Sequence, residues 1–142
     1  MQPIQQTATL DNATITYQNI AGLEVMVASA NPCMFRFLLQ FRTAAATTGL
    51  GLVFSAPAMS AAGWSASIRS AANGTDAFFE STQSALTTEI VSPGVPAQDT
   101  DYLAVVEGFF IPSARGTVRL RARSEVAGSN VRVTNGLGLL WV

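Results

Sequence analysis

The sequence predicts an all-β fold, an antiparallel β-sandwich of the jelly-roll type, with a short extended N-terminal arm. Apolar and polar residues alternate with a period of two along several segments, and turn-forming residues separate these segments at short intervals. Two of the turn pairs, Asn73-Gly74 and Asn135-Gly136, are those that a type I′ hairpin prefers. The Ala-rich stretch Ser55–Ala62 has room for no more than a helical turn, because Pro57 and the flanking glycines limit it. Many short strands at this spacing are typical of sandwiches, jelly rolls and barrels.

The chain begins with the predicted arm, residues 1–12, which is polar, rich in Gln and Thr, and short of large apolar side chains. Free arms of this kind are often ordered only by pairing with a neighbouring chain. Residues 13–142 follow as a single predicted β-sandwich domain, because no linker or convincing internal repeat divides them. The N-terminus has neither a basic nor an apolar region, so no signal peptide is expected.

Met34–Arg42 is the clearest strand, because its alternate residues are apolar and predict one core-facing side. Tyr102–Ile111 is apolar on both sides except at Glu107, which predicts a central strand covered on both faces. Residues 117–123 and 130–134 alternate in the same way and predict two further strands. Weaker strand candidates are Ala13–Tyr17, Leu23–Val27, Leu50–Phe54, Trp64–Ser70, Ala77–Ser81 and Leu137–Val142.

The composition favours a subunit of an assembly over a free monomer. Charged residues make up only 12% of the 142 residues and apolar residues make up 49%, whereas a typical soluble domain carries about 25% charged residues. A surface so poor in charge is expected to be covered in part by a partner. Every basic residue is arginine, which suits fixed ion pairs at interfaces, although a high-GC genome would explain the missing lysine equally well.

Several function classes are excluded. The net charge of −1 lacks the basic footprint of a nucleic-acid binder, and no run of about 18 apolar residues is present to span a membrane. Without histidine there is no Ser/His/Asp or Cys/His catalysis, and no phosphate-binding or dinucleotide-binding motif is present. We therefore expect no enzyme, no cofactor or metal, and no nucleic-acid or membrane partner.

The remaining residues with possible chemistry have simpler interpretations. Cys33 follows a proline and opens an apolar run, which predicts a buried small hydrophobic residue, and a single cysteine excludes an internal disulfide. A carboxylate pair for sugar hydrolysis would come from Asp99, Asp101 and Glu107. Calcium ligands would come from Asp99 and Asp101 or from Asp76 and Glu80, but solvated turn residues explain this spacing better.

Charge placement predicts an ion-paired interface. The segment between Arg69 and Arg115 holds six acids and no basic residue, whereas residues 115–132 hold five arginines and one acid. At least one of the three arginines on the strand at 117–123 is expected to pair with Glu107 or Glu125, within one subunit or between two; the alternative is a solvated face. Near the C-terminus, Trp141 would anchor an interface or else cap its own core. The candidate interface residues are Arg119, Arg121, Arg123, Glu107, Glu125 and Trp141.

Gly116–Val133, with the sequence GTVRLRARSEVAGSNVRV, resembles the closing segment of a domain found repeatedly in tailed-phage virion proteins. The other segments that resemble this domain are Phe35–Leu39 with the turn at Thr43–Leu50, Ser55–Ala58, and Val106–Ala114. The resemblance extends from Asp11 to the C-terminus and consists of fold-determining residues, without an active-site motif. It implies a jelly-roll-like sandwich that forms trimers and is carried on phage tail fibres or displayed on the capsid.

The resemblance leaves three functions open. The first is a trimeric capsid decoration (cement) protein on the virion surface, bound to the major capsid protein or another virion protein. The second is a tail-fibre, tail-tip or head-fibre module that binds a host receptor such as a surface glycan, and the third is a carbohydrate-binding or carbohydrate-acting protein. A short arm without a shaft favours decoration, with the arm adding a strand to a capsid subunit. The arm residues expected to contact the capsid are Gln2, Pro3, Ile4, Gln5 and Gln6.

Overall fold

The computed structural model describes residues 1–71 and 76–142 and places eleven strands in these ranges. The strands are β1 (Gln2–Gln5), β2 (Leu10–Asn12), β3 (Gln18–Val27), β4 (Cys33–Thr43), β5 (Leu50–Ser55), β6 (Met59–Ser70), β7 (Ala77–Gln83), β8 (Ile90–Val91), β9 (Tyr102–Pro112), β10 (Gly116–Ser124) and β11 (Val131–Trp141). Within the described ranges, no helix has the length and apolar character needed to cross a membrane. The predicted turn at Asn73-Gly74 lies outside the described residues.

The strands form two antiparallel sheets. The larger sheet has the order β1-β11-β4-β9-β6-β7, with β2 also pairing with β11, and the smaller has the order β3-β10-β5-β8. From β2 onward the chain crosses to the other sheet at every connection except that between β6 and β7. This winding is that of a jelly roll, and the β6–β7 pair widens the larger sheet at one edge. The predicted antiparallel β-sandwich is confirmed.

The core lies between the sheets and is rich in aromatic side chains. Burial alternates along β4, whose inward residues include Phe35 at 3% exposure and Phe37 at 4%. Phe54 of the smaller sheet meets Phe35 and Trp64 edge-on, with ring centroids 5.1 Å apart in each pair. The indole of Trp64 donates a hydrogen bond to the Ala85 carbonyl over 2.9 Å, so the one polar atom of this side chain is satisfied. Cys33 is buried as predicted, and burial raises the pKa of its thiol.

Residues 1–12 are extended, as the predicted arm is, but they are not free, because they join the larger sheet of their own chain. Gln2–Gln5 pair with Leu137–Leu140 of β11, and Leu10–Asn12 pair with its first residues. Ile4 is only 6% exposed, so this single apolar side chain anchors β1 to the core. Gln6 continues the attachment, since its backbone N–H donates to the Gly136 carbonyl over 2.9 Å. The predicted division between residues 12 and 13 therefore does not separate an arm from a domain.

Two local predictions are also corrected. Ala13–Tyr17 is a loop rather than a strand, because the side chain of Asn12 accepts a hydrogen bond from Thr14 and donates one to the Thr16 carbonyl. Asn135-Gly136 is not a hairpin turn but part of β11, where the register shifts beside it. A glycine suits this point, since a Cβ at Gly136 would lie 2.7 Å from the Leu23 side chain.

Candidate protein-interaction surface

The outward side of the larger sheet is rich in large apolar side chains. They lie on β4, β9 and β11 and are between 39% and 63% exposed. We call this surface the apolar face, and its members are Met34, Leu38, Leu103, Phe109, Leu137 and Trp141. The prediction that β9 is covered on both faces is therefore wrong for this chain alone, because only one of its sides meets the second sheet.

Strand register makes the apolar face continuous. Trp141 pairs with Met34, and Met34 pairs with Phe109, so three strands contribute to one row. Four residues further along, Leu137 pairs with Leu38, which forms a second apolar row with its β9 neighbour. Directly opposed side chains on one sheet face are close enough to touch. The result is one surface rather than scattered exposed residues.

The area of the apolar face exceeds what a monomer usually leaves exposed. From their exposed fractions, its six members present roughly 700 Å² of surface to solvent, against about 300–600 Å² for the largest apolar patch of a typical monomer. An antiparallel sheet that faces water normally carries polar residues on its outward side. In the parts of the chain that the structure describes, no segment covers this face.

One ion pair lies between the two apolar rows. Arg36 and Glu107 are opposite each other on β4 and β9, with their charged atoms 3.7 Å apart. Both side chains are 55% exposed, so the pair contributes little to folding in water. The Arg36–Glu107 pair places one positive and one negative charge on the apolar face, so the face has no net charge at this point.

Stronger ion pairs border the apolar face at one end. Arg42 donates two hydrogen bonds to Asp101, over 2.8 and 2.9 Å, and they hold the pKa of that carboxyl below its usual value. Arg132, the register neighbour of Arg42, binds Asp11 over 2.8 and 3.2 Å and lowers the pKa of Asp11 in the same way. A charged border around an apolar centre is the usual composition of a protein interface.

The outward side of the smaller sheet carries charged rather than large apolar side chains on β10. We call it the arginine face, after Arg119, Arg121 and Arg123. Arg119 binds Glu24 over 2.7 Å, and the Arg121 guanidinium donates to the Tyr17 carbonyl over 2.8 Å. These contacts come from β3 and the loop before it, within the same chain. Arg119 therefore has a carboxylate partner within the chain, whereas Arg121 contacts a backbone carbonyl and its buried Nε has no hydrogen-bond partner among the residues that the structure describes.

Arg123 is more enclosed than Arg119 on the arginine face. Its side chain is 14% exposed, binds Glu89 over 3.1 Å and lies over the Tyr17 ring at 5.2 Å. The Tyr17 hydroxyl donates to the same Glu89 carboxylate over 2.5 Å, and this bond is the first cause of the lowered pKa of Glu89. Burial and the neighbouring carboxylate raise the pKa of the Tyr17 hydroxyl. The three side chains form a closed cluster.

The predicted pairing of the β10 arginines with Glu107 or Glu125 is not found within the described residues. Glu107 lies on the opposite sheet beside Arg36, and Glu125 accepts a hydrogen bond from the Gly49 backbone N–H over 2.8 Å. Pairing between two chains stays a prediction. Trp141 lies on the apolar face with 39% exposure, so its expected interface role stays open as well.

The apolar face itself was missed by sequence reasoning, although one signal for it was present. The two-sided apolar pattern of Tyr102–Ile111 predicts a strand covered on both faces, but it does not indicate what covers the second face. The arginine partners Glu24 and Glu89 were also missed, because they lie far from β10 in the sequence and near it only in the sheet. Only the strand order reveals these pairs.

Three of the five acidic candidates, Asp76, Asp101 and Glu107, form ion pairs with arginines. Asp101 binds Arg42 and Asp76 binds Arg69, so these carboxylates balance guanidinium groups. In the parts of the chain that the structure describes, no three acidic, cysteine or histidine side chains group closely enough to hold a metal ion. Comparisons with protein-family models and with curated proteins find no match to this chain. The surfaces described above are thus the basis for assigning a function.

Proposed function

We propose that this chain is a structural subunit of a protein assembly, and that the assembly is a tailed-phage virion on which it serves as a trimeric capsid decoration protein. The observation that carries the proposal is the apolar face. A decoration protein acts through a broad contact surface and needs no catalytic group or cofactor.

The size of the apolar face supports stable association. A standard interface buries about 800 Å² on each partner, and the six members of the apolar face supply roughly 700 Å². Area alone does not determine affinity, because association also costs about 4–15 kcal/mol in lost freedom of motion.

The phage assignment is supported by the resemblance of Gly116–Val133 to a virion domain. These residues form β10, a central strand of the smaller sheet, and the start of β11, a central strand of the larger one. A pattern of fold-determining residues is expected at such positions. The jelly-roll winding is also the architecture that the resemblance implies, although a fold alone does not determine a role.

The shape of the apolar face favours a protein partner over a sugar. Its aromatic residues, Phe109 and Trp141, lie with Met34 around a shallow recess that is open to solvent and lined mainly by apolar side chains, with the exposed Arg36–Glu107 pair beside them. Sugar and small-molecule sites enclose most of their ligand and combine apolar walls with a few placed polar groups. An extended apolar surface with ion pairs along one end matches a protein contact better.

Copy number per particle tests the proposal. Purified virions of the phage that encodes this chain would be analysed by quantitative mass spectrometry and by cryo-electron microscopy. We expect hundreds of copies spread over the capsid and a loss of shell stability when the gene is deleted. A few copies confined to the tail, with lost adsorption after deletion, would indicate the receptor-binding module instead. Absence from the particle would contradict both.

A further inference from the structure

We infer that the apolar face is covered by a second copy of this chain, so that the larger sheets of neighbouring copies pack against each other. The inference rests on the proposed function in one respect, since both take this face as an assembly surface. It adds the identity of the partner and the residues through which the copies meet.

The contrast between the two outward faces indicates which one associates. On the arginine face, Arg119 and Arg123 have carboxylate partners within the chain. A partner there would have to displace water from charges that are already paired, which is costly. Covering the apolar face displaces little water from charged groups, because its exposed side chains are mostly hydrocarbon. Association is therefore expected through the larger sheet.

The area of the apolar face matches what a pair of copies needs. A standard interface buries about 800 Å² on each partner, and the six members of this face supply roughly 700 Å² of that. Half-buried neighbours on the same side, Val105 and Leu139, add to the contact. One copy of the chain thus provides a complete footprint for another.

The ion pair at the centre of the apolar face is complementary to itself. Arg36 and Glu107 lie side by side, loosely paired at 3.7 Å and half-exposed. A second copy presents the same two charges, so Arg36 of one copy can meet Glu107 of the other. A buried charge must be matched, and an unrelated partner would have to supply both signs at the right spacing. A net charge of −1 also means that copies repel one another only weakly.

The first test is the oligomeric state of the purified full-length chain, measured by sedimentation and light scattering over a range of concentrations. We expect oligomers that dissociate on dilution. Met34→Asp should weaken association roughly tenfold to a hundredfold, as loss of an interface anchor does. The matched control is Met26→Asp, because Met26 is 71% exposed on β3 of the other sheet and should leave association unchanged. Thermal unfolding of both variants checks that they fold.

A second test uses charge exchange and does not depend on removing apolar surface. Arg36→Glu and Glu107→Arg variants should each associate poorly alone, because each carries two like charges at the centre of the face. Mixed in equal amounts, they should form complexes that contain both variants. Such mixed complexes require the face of one copy to meet the face of another.

The outcomes separate this inference from the proposed function. A chain that stays monomeric, or whose oligomer is unaffected by Met34→Asp, overturns the inference. If that monomer still binds virions through the apolar face, the capsid is the partner, and the decoration role stands without the proposed trimer. If Met34→Asp dissociates the oligomer but the chain is absent from virions, the inference is supported and the proposed function is contradicted.

Discussion

The two outward faces of the sandwich obey the same geometry but differ in chemistry. On both, every second residue of a strand points away from the core. On the arginine face these residues include Arg119 and Arg123, which bind Glu24 and Glu89 across neighbouring segments. On the apolar face they are mainly methionine, leucine and aromatic side chains with no covering layer of their own.

The difference shows that strand alternation determines which residues face outward, but not what they face. On the arginine face, Arg119 and Arg123 are neutralised by carboxylates of the same chain, so these two charges need no outside partner. The apolar face is complete only when something covers it. The contribution of each face to stability can therefore be measured separately, because only that of the apolar face should depend on association.

The largest expected effect compares two neighbours on β4 that point in opposite directions. Phe37 is 4% exposed and packs against Phe35 and Phe54, so Phe37→Ala should cost about 3–5 kcal/mol in unfolding free energy. Leu38 is 43% exposed, so Leu38→Ala should change the stability of the monomer by less than about 0.5 kcal/mol. Urea unfolding in dilute solution measures both.

Protein concentration sharpens this comparison. If the apolar face is covered by association, the stability of the unmodified chain should rise with concentration, and Leu38→Ala should reduce that rise. Phe37→Ala should lower the free energy of unfolding by the same amount at every concentration at which the variant and the unmodified chain have the same oligomeric state. Equal costs for the two variants in dilute solution would mean that Leu38 belongs to the core, contrary to its exposure.

The sequence predicts the fold well where one side of a strand is clearly apolar. In β4 the side that carries Phe35 and Phe37 is uniformly large and apolar, and it does face the core. In β9 both sides are apolar, and a two-sided pattern cannot show whether the second cover comes from the same chain or another. This is the physical reason that the apolar face was not predicted.

The N-terminal strand shows a different limit of sequence patterns. Ile4 is the one large apolar residue between Met1 and Leu10, too few to reveal a period. Its attachment depends on backbone hydrogen bonds to β11 and on burial of that one side chain, and neither leaves a signature in the sequence. Segments held by main-chain pairing are expected to escape pattern-based prediction in general.

An intermediate effect is expected from removing one acid on each face. Glu89→Ala leaves Arg123, with its side chain only 14% exposed, without its carboxylate and leaves the Tyr17 hydroxyl without its acceptor. We expect a loss of about 1–2 kcal/mol, since an unpaired enclosed group costs more than the bond itself contributed. Glu107→Ala on the apolar face should cost less than about 0.5 kcal/mol in the monomer, because the pair is exposed. Chemical denaturation of the two variants at neutral pH measures the difference, and equal losses would contradict the closed cluster around Arg123.

The smallest effect is a dependence on pH that belongs to the ion pairs and not to the apolar face. Hydrogen bonds from Tyr17 and Arg123 hold the pKa of Glu89 below its ordinary value of 4.5, and Arg42 holds the pKa of Asp101 below 3.8. A lowered pKa in the folded state gives stability that is present above the ordinary value and is lost as the pH falls through the folded one. Stability should therefore be flat from neutral pH down to about pH 5 and decline below it. Glu89→Gln should make that decline shallower, whereas Leu38→Ala should leave its slope unchanged. A decline that both variants alter equally would mean that the acid sensitivity comes from the whole molecule rather than from the cluster on the arginine face.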